Sequence, residues 1–165
     1  LLAEDLNLKI KWLSFNKQTY EFDLSELDTL ITEKTKLICV GGASNLLGTI
    51  NDIKLICQKA SSMGVLTYID AVQLAPHVAI DVQEIGCDFL ICSAYKFFGP
   101  HQGILWGKKE LLKTLKPYKV RPATIEIPSC FETGTQSHEG MAGISAAVDY
   151  FSWIGDKYAL SLIHI

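Results

Sequence analysis

A carboxylate, an amide, a hydroxyl and an amine stand just past apolar runs of this chain. Asp70 closes VLTYID, Gln73 follows it, and Ser93 and Lys96 come after CDFLIC. Ser44 and Asn45 follow a further apolar run, KLICVGGA. In an open parallel sheet ligands bind beyond the carboxyl ends of the strands, so these groups are placed to converge on one edge. Lys96 is followed by Phe97 and Phe98, neighbours that a solvated lysine does not need. A lysine nucleophile must shed its proton, and apolar surroundings disfavour the charged amine. A carboxylate at the end of a buried strand calls for a cationic partner. Taken singly, each residue has a plainer reading: Asp70 as the cap of a turn, Lys96 as a loop residue reaching water. The joint pattern is what points to a site.

Other common sites lack their signatures. No GxGxxG follows a strand, and GxxxxGK[ST], GxSxG and HExxH do not occur, so dinucleotide, nucleoside triphosphate, serine-hydrolase and zinc-protease chemistry are unsupported. An acid and a lysine at neighbouring strand ends suit pyridoxal phosphate (PLP), whose chemistry uses a lysine Schiff base and a carboxylate at the pyridinium nitrogen.

The elements that must position these groups alternate. LKIKWLSF (8–15) reads as a strand, and FDLSELDTLI as a short helix with Asp23 as its cap and Glu26 completing a capping box. KLICVGGAS reads as a buried strand. Asn51 or Asp52 then caps a helix carrying Ile53, Ile56, Cys57 and Ala60 and ending at Gly64. VLTYIDA, CDFLICSA and GILWG read as further strands, DVQEIG as a helical turn and KKELLKTL as a helix. After a loop from Pro117 to Pro128, residues 139–154 carry Met141, Ile144, Ala147, Val148 and Phe151 at helical spacing. Several strands lack period-two polarity, which predicts an α/β domain with a mostly parallel central sheet and flanking helices.

With 165 residues, 48% hydrophobic and 20% charged, the chain has the composition of one globular domain. A net charge of -3 gives no support for nucleic acid or an anionic membrane as partner. The basic residues between Lys108 and Arg121 are interrupted by Glu110 and read as a solvated helix face. No apolar run is long enough to span a membrane. Five scattered cysteines without a CxxC pair read as reduced thiols of a cytoplasmic protein, and no metal site is expected.

Four segments share one order and consistent spacing with a known family: ASNLLGTIND (43–52), YIDAVQLAPH (68–77), DVQEIGCDFLICSAYKFFGPH (81–101) and FETGTQSHEG (131–140). On them the sequence resembles the class V aminotransferases, and within these the cysteine desulfurase-like proteins of the SufS type. The resemblance implies fold type I of the PLP-dependent transferases, PLP as cofactor and an amino acid as substrate. It makes Lys96 the residue of the Schiff base, Asp70 the partner of the pyridine nitrogen, and Gln73 the amide at the ring hydroxyl. By the same resemblance Asn45 lies near the substrate carboxylate and Ser93 supplies a phosphate-binding hydroxyl. Tyr95 stands where many relatives have a phosphate-binding histidine. Gly134 and Thr135 match a segment that reaches the partner subunit's phosphate in a homodimer. His77, His101, His138 and Arg121 receive no role.

The resemblance further implies that residues 1–159 are the central part of a PLP-binding large domain, incomplete at both ends. The nucleophilic cysteine and substrate-binding arginine of desulfurases belong beyond Ile165. The last residues, LSLIHI (160–165), read as a non-native, adapter-derived tail. The expected activity of the parent is cysteine desulfuration with transfer of sulfur to an acceptor protein, the fragment alone being a poor catalyst. An epimerase, lyase or aminotransferase of the same family, and a non-catalytic α/β domain, are the alternatives.

Overall fold

The computed structural model describes residues 1–158, so the expected tail at 160–165 and the expected boundary at 159 lie outside the described residues. The apolar runs form β1 (Leu37–Gly41), β2 (Leu66–Asp70), β3 (Phe89–Ser93) and β4 (Gly103–Gly107), in the order β1-β2-β3-β4. The first three are parallel and β4 is antiparallel to β3. Parallel neighbours need a crossover of a dozen or more residues, and only residues 94–102 separate β3 from β4. The short link dictates the reversal.

The helices are α1 (Leu2–Asp5), α2 (Leu27–Leu30), α3 (Ile53–Ser62), α4 (Val82–Ile85), α5 (Lys109–Leu112) and α6 (His138–Tyr158). Of the two candidate caps of α3, Asp52 takes the role, accepting from the Leu55 N–H at 2.9 Å. Asn51 instead donates its side-chain Nδ2 to the Gly41 carbonyl at 2.8 Å, and its backbone N–H to Gly42. Asp81 caps α4 by accepting from Gln83 and Glu84 N–H groups.

Two sequence expectations near the N-terminus need correction. LKIKWLSF forms no strand; Phe15 makes one isolated bridge to Phe22. Leu8, Ile10 and Trp12 are all exposed, so the alternation finds no layer to pack on. The capping box also fails to close. Asp23 does cap the turn Leu24–Glu26, but the Glu26 carboxylate accepts from Ser14 N–H at 3.0 Å, tethering the preceding segment.

Register places Val40, Ile69, Leu90 and Trp106 side by side on one sheet face, with Cys92 and Ile104 further along it. That face packs on Leu27 of α2, Ile31 just after it, and Ile53, Ile56, Cys57 and Ala60 of α3. Toward the carboxyl ends of the parallel strands it continues into a second cluster of Ala75, Ala94 and Phe97, packed against Ile144 and Phe151 of α6. The opposite face, with Leu37, Tyr68 and Leu105, is not sealed by the described residues: Leu37 and Leu105 are exposed. At the other end of the sheet, Asp88 accepts from Thr67 N–H (2.9 Å), Thr67 Oγ1 and Lys108 Nζ (2.8 Å). These contacts clasp β2 to the segments entering β3 and leaving β4.

Candidate active site at the strand ends

Gly41, Asp70 and Ile91 are register partners, so the chain leaves β1, β2 and β3 at one edge of the sheet. Gly42 keeps the first two exits close. A side chain there would place its Cβ 2.8 Å from Leu74 Cδ2, inside any permitted contact. The loop beyond it is pinned by the Ala43–Ile50 bridge and by Ser44 Oγ, which accepts from Leu46 and Leu47 N–H groups. Asn45 stands exposed in that loop.

Asp70 is the last residue of β2, on the open side of the sheet. One carboxylate oxygen accepts from Val72 N–H at 2.9 Å, bending the chain into the turn that carries half-buried Gln73. Among the described residues no cation lies within ion-pair distance of the Asp70 carboxylate.

Ser93 ends β3 opposite Gly103, and the 3-10 turn Ala94–Phe97 follows directly. Ala94 N–H donates to Gln102 and Gly99 N–H to Ala94. Gly99 is required here, since a Cβ would fall 2.8 Å from the Ala94 Cβ and 3.0 Å from its carbonyl oxygen. Phe97 is 2% exposed and anchors the turn in the second core cluster. Phe98 takes a left-handed φ of 64° and is 80% exposed, its ring 5.5 Å from that of Phe151. The ring recorded against the Lys96 amine belongs to neither phenylalanine but to Tyr95, whose centroid is 4.9 Å from Lys96 Nζ. Among the described residues Lys96 has no ion-pair partner.

Gly134 and Thr135 lie exposed in the segment that leads into α6. The first turns of α6 rest on the Lys96 loop: Gly140 faces the Gln102 side chain, and a Cβ at Gly143 would touch Pro100 at 3.4 Å. The start of α6 therefore lies on the flank of the loop that carries Lys96, and the 134–135 segment leads into it. His77 and His138 are exposed, as is Arg121.

Burial pushes the thiols of Cys57 and Cys92 above their ordinary range and that of Cys87 up to about 11. They stay protonated at neutral pH and are poor nucleophiles. Cys39, expected inside a buried strand, is exposed on the open sheet face. No group of three metal-ligating side chains occurs among the described residues. An open cleft on the N-terminal segment is lined by residues between Ser14 and Asp23 and by none of the strand-end residues.

A family model described as Aminotransferase class-V matches residues 1–161. The chain belongs to the class-V aminotransferase family. Within that family, a probable cysteine desulfurase of Streptomyces coelicolor is 38% identical over 176 residues, covering 99% of this chain and 42% of that protein. A probable cysteine desulfurase of Borreliella burgdorferi is 37% identical, covering 96% and 41%. The solved cysteine desulfurase CsdA of Escherichia coli matches with a TM-score of 0.83 at 29% identity, over 92% of this chain and 41% of that one. An apo cysteine desulfurase from Thermococcus onnurineus NA1 matches at 0.84 and 30%, over 93% and 41%. The fold is thus fold type I of the PLP-dependent enzymes, and the chain spans about two-fifths of the length of these relatives.

The donor set also fits PLP on its own chemistry. Among the described residues, a carboxylate without a cation and an amine without a carboxylate stand past neighbouring strands, as a group with a basic ring nitrogen and an aldehyde requires.

Proposed function

We propose that this chain carries the cofactor-holding segment of a PLP-dependent enzyme acting on an amino acid, with cysteine desulfuration as the activity of the whole protein. The observation that carries the reading is the pair Asp70 and Lys96, an acid and an amine without ionic partners among the described residues, at adjacent strand ends of a fold-type-I sheet. PLP bound there supplies an aldehyde that condenses with amines and a ring that accepts electron density.

The residues divide the remaining work. Asp70 holds a proton at the ring nitrogen, its orientation fixed by the Val72 N–H bond. Gln73 donates its amide to the ring hydroxyl oxygen. Ser93 and the Tyr95 hydroxyl bind phosphate oxygens, and Gly134 and Thr135 do the same for a partner subunit in a homodimer. Asn45 orients the substrate carboxylate. Lys96 would hold PLP through its amine, and the same amine would move a proton at the substrate α-carbon. Burial raises the thiols of Cys39, Cys57, Cys87 and Cys92, which makes them poor nucleophiles, and Cys130 is buried; by the family resemblance the sulfur-accepting cysteine lies outside this chain. We place the protein in the cytoplasm, with an acceptor protein for its sulfur; no described helix is long and apolar enough to cross a membrane.

The same thiol inventory favours a second reading, an epimerase, lyase or aminotransferase of this family. Borohydride reduction of the full-length protein with PLP, followed by peptide mapping, tests the site: the cofactor mass is expected on Lys96 and absent from Lys96→Ala. A wild-type protein that gains no mass at Lys96 refutes it. Release of alanine and sulfide from cysteine supports the desulfurase, and turnover of other amino acids without sulfide supports the second reading.

A further inference from the structure

The loop 94–102 holds a stack that the reading above leaves without a task. The Tyr95 and His101 rings lie parallel at 6°, their centroids 4.8 Å apart. The Lys96 amine sits over the same Tyr95 ring at 4.9 Å. Tyr95 and His101 are both exposed, so the core does not fix their planes. The folded loop brings them together: Gly99 and Gln102 both bond back to Ala94, turning the chain so that residue 101 faces residue 95.

A half-buried lysine such as Lys96 still has several rotamers open to it on an anchored loop, and a ligand that needs its amine in one place must suppress them. An aromatic face attracts an ammonium and restricts it, provided that the ring itself is held. We propose that His101 and Tyr95 are positioning residues. The His101 ring fixes the plane of Tyr95, and the Tyr95 face holds the Lys96 amine at the strand end. The part of Tyr95 that matters here is the ring, whereas phosphate binding would use its hydroxyl. The inference rests on the proposed function for its consequence and on the stack for its geometry.

Acetylation of the unloaded full-length protein by acetic anhydride, with peptide mass spectrometry comparing Lys96 with exposed Lys113, reads the platform without PLP. Tyr95→Leu and His101→Ala are each expected to speed Lys96 acetylation roughly two- to fivefold. Tyr95→Phe and His101→Phe, which keep a flat ring, are expected to stay at the wild-type rate. Unchanged Lys96 acetylation in both Tyr95→Leu and His101→Ala overturns the proposal, as does failure of His101→Phe to restore the wild-type rate. Borohydride trapping at limiting PLP then reads the consequence, with less product at Lys96 in His101→Ala than in wild type. Equal trapping in the two overturns the positioning role. A wild type that traps nothing condemns the PLP reading while the acetylation result still decides the stack.

Discussion

Cys87 has no exposed surface, and its neighbours sharpen the effect of burial. Burial is the main reason that its thiol is pushed up to about 11, and the nearby Cys57 thiol adds to the shift. An unfolded chain releases this proton near 9.0, so above that pH the unfolded state binds fewer protons than the folded one. Stability is therefore expected to fall between pH 9.0 and about 11, by on the order of 2–3 kcal/mol from this group, and to be indifferent to it below pH 9.0. Urea midpoints of wild type and Cys87→Ala across that range isolate the effect; parallel curves refute it. The residues of the site differ in how far the sequence reveals them. The strand-end positions of Asp70 and Lys96 could be read because each follows an apolar run, although singly Asp70 reads equally as the turn cap it is and Lys96 as a loop residue. His101 could not, because its meaning depends on a loop closing onto Ala94. The apolar surroundings expected from Phe97 and Phe98 were misplaced for a similar reason: one ring is drawn into the core and the other leans on α6.

Among the elements, the caps and the strands that enter the core were legible. Asp52, one of two candidate caps, precedes a helix whose apolar spacing sets its face, so local chemistry and packing agree there. LKIKWLSF misled because alternation describes a strand only where another strand pairs with it. The antiparallel turn of β4 was latent in the length of the link before it. That link is also where an element-scale prediction belongs. Gly99→Ala forces a Cβ to 2.8 Å from the Ala94 Cβ in a turn whose hydrogen bonds leave little room to relax. It is expected to destabilise the protein by about 1–3 kcal/mol and to lower borohydride trapping at Lys96. An unaltered melting temperature together with full trapping refutes this.

At the scale of the molecule, the chain exposes 11879 Å², against about 8,100 Å² for a compact monomer of this length. Part of the surplus is the open sheet face, which parallel sheets ordinarily cover on both sides. Trp12, Val120 and Ile125 add exposed apolar surface elsewhere. The isolated 165-residue chain is expected to bind the dye ANS strongly, and a chain extended to the length of the relatives to bind it weakly. Equal dye binding by both contradicts this. The sequence showed that the strands were apolar on both faces, but one chain of residues does not say which segment covers which face. The link between β3 and β4 has a last consequence. It is hydrogen-bonded at both of its ends, and its interior is wedged by Phe97 and by the absence of a side chain at residue 99. Such a span has no slack, so an inserted or deleted residue between 94 and 102 would displace the amine itself. The tip at 45–48 can change length and still close at its bridged base. Variation in loop length should thus be tolerated beside the site and refused beneath it.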